Sequence, residues 1–364
     1  MGNLLILTDT QIHQILINLT REEAKIILRK IYSGLAAFAL HDERYLQPKP
    51  TIVNRPEGSK CLFRPFTSPT SIGTKIIVQP KDGGDLHGMI AVCDAQGIPT
   101  GILNAEEVTG YRTSMAALIP FWSWRTDVRK VVIFGAGKQA LWHLRLMLLS
   151  RGDEIEEIVV VNRTVERAKQ LVEKIKGENE QRWKSKAEIS VLLGGKEEGK
   201  GEDSLIGRLR AADAIFCTTG AREPLFSAEE VLGGKGNEGN ERGPYISAVG
   251  SWQSDMIELD PALLQHVVDN KKSADSKAAR YILVDDRDTV VPHTGEFIQS
   301  KLGAEHVVEL GTVDMNRDGE EMKHLSEGLL VYKSIGVGTM DLAASNVILE
   351  FAKKQGLGTV VPEF

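Results

Sequence analysis

Apolar residues recur every three to four positions between 9 and 40, as Ile12, Ile15, Leu16 and Leu19 and then Ala24, Ile27, Leu28 and Ile31. That spacing predicts helix, with Thr10 as a candidate cap. From there to 105 the period shortens. "CLFRPF", "GTKIIVQP", "GMIAVCDA" and "IPTGILNA" alternate apolar and polar residues, and "DAQG" at 94–97 reads as a turn. The pattern predicts an antiparallel meander. "AEEVTGYRTSMAALIPFW" returns to helical spacing, with acidic residues in its first turn and Val108, Tyr111, Met115, Leu118 and Ile119 on the apolar side.

Beyond this helix, short apolar runs alternate with helical ones. The strand "KVVIFG" leads to the helix "KQALWHLRLMLLSRG", the strand "EIVVVN" to the helix "TVERAKQLVEKIKG", and "AEISVL", "ADAIFCTT", "PYISAVG" and "RYILVDD" read as further strands. Alternation of this kind predicts a parallel sheet with helices on its faces. Two glycine-rich, charged stretches, 194–203 and 233–243, are expected to be solvated insertions. The last segment, "LVYKSIGVGTMDLAASNVILEFAKKQG", ends in an amphipathic helix.

At 364 residues the chain exceeds the size at which a single core usually stops growing, so two domains are expected. A net charge of -6 argues against nucleic acid and in favour of a small-molecule partner. The three cysteines are far apart and form no CxxC pair, and the eight histidines show no metal-ligand spacing. No apolar run is long enough to span a membrane and no secretory signal is legible, so a cytoplasmic, membrane-free protein is expected.

The sharpest chemistry lies in "VVIFGAGKQA" at 131–140. It matches GxGxxA between a strand and a helix: Gly135 makes the tight turn, Gly137 admits a pyrophosphate and Ala140 permits close helix packing. The next strand ends in Asn162-Arg163-Thr164, where an acidic residue would grip the ribose 2′-hydroxyl of NAD(H). A neutral residue followed by Arg suits the 2′-phosphate of NADP(H) instead. Lys75 and Arg112 sit in apolar company, and a cationic pair that clamps a carboxylate accounts for both. No Cys-His or Ser-His-Asp arrangement is legible, and hydride transfer needs none.

Taken in order, "GTKIIV", "VTGYRTSMAAL", "FGAGKQA", "VVNRT", "ADAIFCTTGAREPLF", "SAVGSWQSDMIELD", "HTGEF", "ELG" and "YKSIGVGTMDLAAS" resemble the ornithine cyclodeaminase/μ-crystallin family over nearly the whole chain. Among its branches the likeness is to the ketimine reductases, which share Asn-Arg-Thr. The resemblance implies an α/β protein in which a Rossmann domain, residues 123–324, is inserted into an α+β substrate-binding and dimerisation domain, residues 1–122 plus 325–364. It implies a homodimer. It further implies that Lys75 and Arg112 are catalytic residues that bind the substrate carboxylate, and that Gly135, Ala136, Gly137, Lys138, Gln139, Asn162, Arg163, Thr164, Thr218, Thr219, Val249 and Gly250 hold the cofactor, NADP(H) with NAD(H) as the alternative. Shikimate dehydrogenases share "GAG" and "NRTVERA", but their Ser-x-Ser-Pro-x-x-His-Asn signature is missing: Ser68-Pro69 has no His-Asn after it.

Two departures bear on the substrate. Cyclodeaminases carry an Asp two residues after the glycine of the VG pair, whereas Gly250 is followed by Ser251 and Trp252. A Trp cannot relay protons, and Asp255 could substitute only in a rebuilt loop, so ornithine cyclisation is discounted. The family's "PPRT"-like arginine is also replaced, by Pro50 with Lys49 beside it, and Arg64 is the candidate to compensate. Lys49, Arg64, Lys75, Arg112, Trp252 and Asp255 are therefore the expected substrate contacts. The expected function is NADP(H)-dependent reduction of a carboxylated, cyclic imine, or the reverse amino-acid dehydrogenation. The alternatives are a non-catalytic NADPH-dependent binding protein, an enzyme that condenses two amino acids around a redox step, and cyclodeaminase- or alanine dehydrogenase-like activity.

Overall fold

A computed structural model describes residues 2–41, 43–81, 86–193, 203–233, 243–269, 282–314 and 325–364. Both glycine-rich stretches lie almost wholly outside the described residues. The chain divides into two units, Met1–Ala116 with Val337–Phe364, and Ala117–Gly336.

The first unit opens with β1 (Leu4–Leu7), α1 (Asp9–Ile17) and α2 (Arg21–Leu40). Two helices replace one continuous pattern because each has its own start signal. Thr8 and Thr20, not Thr10, are the caps, each in a reciprocal box with the side chain three residues on, Gln11 and Glu23. The meander follows as β2 (Thr51–Asn54), β3 (Lys60–Ser68), β4 (Ser71–Gln79), β5 (His87–Asp94) and β6 (Pro99–Asn104). Every neighbouring pair of these strands is antiparallel, and the turn at Asp94 closes through a Gly97 N–H to Asp94 carbonyl bond of 3.1 Å. Then comes α3 (Ala105–Ser123), whose Val108, Tyr111, Met115, Leu118 and Ile119 are all fully buried.

The second unit is an eight-stranded sheet, parallel throughout, built from β7 (Lys130–Phe134), β8 (Glu157–Asn162), β9 (Glu188–Leu193), β10 (Ala214–Cys217), β11 (Tyr245–Ala248), β12 (Ile282–Val284), β13 (Val307–Glu309) and β14 (Leu330–Lys333). Its order is β13-β12-β14-β11-β10-β7-β8-β9. The central strands read as unbroken apolar runs because both faces are covered. Between them run α4 (Lys138–Arg151), α5 (Val165–Gln181), α6 (Leu205–Ala211), α7 (Ala228–Leu232), α8 (Pro261–Asp269), α9 (Arg287–His293) and α10 (Gly295–Ser300). This is the doubly wound arrangement expected from the alternation. The expected boundary at 324/325 moves, because Leu330–Lys333 is not part of the C-terminal tail but a strand paired with β11 and β12. The chain leaves this unit at 336/337, and the other break falls at 116/117, inside α3 rather than after it.

The first unit is completed by α11 (Gly338–Gln355) and β15 (Thr359–Val361), which pairs with β1 to give the sheet order β15-β1-β6-β5-β4-β3-β2. One face of this sheet packs on α11 and buries Phe66, Ile77, Ile90 and Val92. On the other face Val53, Phe63, Ile72 and Met89 are exposed.

Candidate active site

Lys75 and Arg112 meet on a residue that the sequence reading passed over. In β4, Lys75 points to the packed face of its sheet; Arg112 projects from α3; Asp341 lies in the first turn of α11, where the helix dipole favours a carboxylate. Lys75 Nζ donates to Asp341 Oδ1 at 2.8 Å and stands 2.7 Å from Oδ2, while Arg112 Nε donates to Oδ1 at 3.0 Å. All three are buried, Asp341 completely. A second guanidinium nitrogen of Arg112, Nη1, is buried without an acceptor among the described residues.

Burial dominates the electrostatics. It lowers the pKa of Lys75 to about 7, against the pull of Asp341 and with help from the positive charges of Arg112 and Arg64. Burial alone would raise Asp341, but Arg112, Lys75 and Arg64 overcome it and hold that carboxyl below its ordinary range. The group therefore contains one carboxylate that stays ionised, one guanidinium that stays charged, and one amine poised to exchange its proton near neutrality.

Arg64 joins this group: it stands directly opposite Lys75 on β3, half-buried. Like charges facing each other across a ladder cost stability, and the Asp341 carboxylate, on which both act, offsets that cost. Lys49 does not join it; it is exposed in the coil before β2. Trp252 and Asp255 belong to the second unit, Trp252 half-buried in the loop after β11. Asp255 is exposed and pairs with Arg222 at 3.3 Å, so it is not turned inward as a replacement proton relay.

In the second unit the residues expected to hold a dinucleotide line the carboxyl ends of β7, β8, β10 and β11. Gly135 has φ +115°, a conformation that favours glycine, and a Cβ there would fall 2.5 Å from Thr218 Oγ1. Gly137 caps α4 with no side-chain bond to the helix amides, and among the described residues nothing lies within 4 Å of where its Cβ would be. Ala136, Lys138 and Gln139 complete this turn, none of them fully buried. A helix start without a side-chain cap, beside open space, suits a phosphate group. After β8, Asn162 Nδ2 donates to the Thr164 carbonyl at 2.8 Å, Thr164 caps α5 without a side-chain bond, and Arg163 is exposed beside them. Thr218 Oγ1 donates to the Phe134 carbonyl at 2.7 Å, tying β10 to β7, and Val249 N–H donates to the Cys217 carbonyl at 3.0 Å. Thr219 and Gly250 both donate to Glu258, a second buried acid that sequence reading left without a role. Among the described residues no group of acids, histidines and cysteines could hold a metal, and no helix is long and apolar enough to cross a membrane.

A sequence profile for shikimate/quinate 5-dehydrogenase matches residues 122–194, the segment that carries GAGKQA and Asn162-Arg163-Thr164. Similarity over the whole length leads elsewhere. A Delta(1)-pyrroline-2-carboxylate reductase of Bacillus cereus is 26% identical, with 91% of this chain and 93% of that protein aligned. The Delta(1)-pyrroline-2-carboxylate reductase of Thermococcus litoralis, solved with NADH and L-proline, superposes with a TM-score of 0.72 at 19% identity, covering 98% of this chain and all of that one. An archaeal alanine dehydrogenase dimer with bound NAD superposes with a TM-score of 0.73 at 22% identity, covering both chains entirely.

Proposed function

We propose that this chain is a member of the ornithine cyclodeaminase/μ-crystallin family, a reading supported by similarity along 91% of its length to a Delta(1)-pyrroline-2-carboxylate reductase, and that it is an NADP(H)-dependent oxidoreductase that reduces the C=N bond of a carboxylated, cyclic imine or runs the reverse dehydrogenation. The observation that carries this reading is the Lys75–Asp341–Arg112 group. Two buried cations share one carboxylate, and Arg112 Nη1 has no acceptor among the described residues, one that a substrate carboxylate would supply. Pyrroline-2-carboxylate, the substrate named for the Bacillus cereus relative, is a cyclic imine with such a carboxylate.

The roles of the side chains follow from their charge states. Arg112 recognises and orients the carboxylate. Asp341 holds Arg112 and Lys75 in place and remains ionised. Lys75, with its pKa near 7, supplies the proton that makes the imine nitrogen an iminium and its carbon electrophilic. A bound reduced nicotinamide supplies the hydride. Forward turnover requires the protonated amine, so it is expected to be full below pH 7 and to decline as the pH rises through about 7; the reverse reaction needs the free amine and rises over the same interval. A pH profile of kcat checks this, and Lys75→Arg, which keeps the charge but cannot titrate there, should erase the inflection.

Unit two supports NADP(H) through the residues after β8. Arg163→Ala is expected to raise KM for NADPH by about tenfold to a hundredfold, the loss of a charge-assisted bond to phosphate, and to leave KM for NADH unchanged. Equal effects on both cofactors would remove Arg163 from phosphate recognition. The apolar sheet face bearing Val53, Phe63, Ile72 and Met89 supports a homodimer, as does the dimeric archaeal alanine dehydrogenase of similar fold. Light scattering should give twice the chain mass, and Phe63→Glu should halve it.

The reaction itself is tested by following oxidation of NADPH, with NADH alongside, against carboxylated cyclic imines and against 2-oxo acids with amines. Turnover on a cyclic imine is the expected result. Tight cofactor binding with no turnover across the panel would overturn the enzyme reading in favour of a binding protein.

A further inference from the structure

We propose that Glu258 is the positioning residue for the nicotinamide half of the cofactor site: its single carboxylate fixes the loop after β10 and the loop after β11 together. This rests on the dinucleotide reading above. Oε1 accepts from Thr219 N–H at 2.7 Å and Thr219 Oγ1 at 3.2 Å, and Oε2 accepts from Gly250 N–H at 2.7 Å and Ser251 N–H at 3.1 Å. The loops approach so closely that a Cβ on Gly250 would fall 1.9 Å from the Thr219 carbonyl oxygen.

The sheet order says which half of a dinucleotide these loops serve. GAGKQA follows β7, and Asn162 to Thr164 follow β8 on one side of it, the pyrophosphate and adenosine side. β10 and then β11 lie on β7's other side, so a dinucleotide laid across the carboxyl ends reaches their loops with its nicotinamide half.

Glu258 is itself held from behind. Its N–H donates to Glu296 Oε1 at 3.1 Å, Ser251 Oγ donates to the same oxygen, and Lys333 Nζ donates to Ser251 O and Oγ, each at 2.6 Å. Glu258, Glu296, Ser251 and Lys333 are all buried. Two buried acids with one lysine are costly to assemble, and burial, together with Glu296, raises the pKa of Glu258 against the pull of Lys333 and the loop amides. An apolar core would stabilise the fold at lower cost. What the carboxylate adds is a fixed spacing between two main-chain loops at a binding crevice.

The test separates the two halves of the cofactor. Dissociation constants for NADPH and for adenosine 2′,5′-bisphosphate, which lacks the nicotinamide half, are measured by calorimetry on wild type, Glu258→Gln and Glu258→Ala. Loss of both loop anchors in Glu258→Ala is expected to weaken NADPH about tenfold and leave the bisphosphate unchanged. Glu258→Gln should fall between, since an amide has one acceptor oxygen where the carboxylate has two; it also carries the test if the alanine variant does not fold. Equal weakening of both ligands, or no weakening of NADPH, would overturn the assignment. Wild-type protein that binds neither ligand would instead overturn the dinucleotide reading.

Discussion

Arg112→Ala is expected to lower kcat/KM for a carboxylated cyclic imine by about a thousandfold, or ~4 kcal/mol of transition-state stabilisation. Two losses combine. The substrate carboxylate loses its guanidinium partner, worth about 1.5–3 kcal/mol for bonds to a charged group. Asp341 also loses the Nε donor at 3.0 Å that helps hold it, so Lys75 shifts with it. The first loss raises KM and the second lowers kcat, and steady-state kinetics should show both. Arg112→Lys should recover part of the affinity, because it returns the charge without the planar fork. A substrate analogue with its carboxylate amidated should separate wild type from Arg112→Ala far less than the parent imine does. Near-normal kinetics for Arg112→Ala would remove the clamp, and with it the assignment of Lys75 as the acid beside it.

The strand, turn and helix start expected to hold the cofactor were legible because their chemistry is local. A strand, a turn that needs positive φ at Gly135 and a helix start lie within ten residues, and each leaves its mark on the residue types. Helix starts were legible in principle too: Thr8 with Gln11 and Thr20 with Glu23 are capping boxes, and reading them would have split the first helix correctly. The strand at Leu330–Lys333 was not, since four apolar-rich residues fit a strand or a helix equally and only its partners β11 and β12 decide. Asp341 was hidden for a different reason. It is separated from Lys75 by 266 positions and from Arg112 by 229, so no spacing rule joins them. Its one signal was an acid in "GTMDLAAS", flanked by residues that turn out to be buried, Met340 and Leu342. Glu258 carried the same signal, between Ile257 and Leu259, both buried. A lone acid inside an apolar helix or strand end asks for a buried cation, or for backbone amides, elsewhere in the chain.

Asp341→Asn is the substitution with the largest expected cost to the fold, about 3–5 kcal/mol, because it removes one partner of a buried ionic group and leaves Lys75 and Arg112 facing each other. Arg112 cannot shed its charge, whereas Lys75 can. In wild type the amine titrates at about 7, held up by Asp341; without that carboxylate its value must fall further. Between the lowered value and 7, the native variant then binds fewer protons than native wild type, while the unfolded chains bind the same number. By linkage the variant gains stability relative to wild type as the pH rises through that interval, so its penalty shrinks toward pH 7 and is constant above it. Asp341 itself does not confuse the sign. Its pKa is held low in the wild-type fold, so its contribution is lost only as the pH falls through that depressed value, well below the interval in question. Urea unfolding of both proteins at about pH 5.5 and about pH 8 makes the comparison, and the larger penalty should appear at the lower pH. A penalty of equal size at both would mean that Lys75 keeps its proton without Asp341, and the amine could not then be the group that titrates near neutrality.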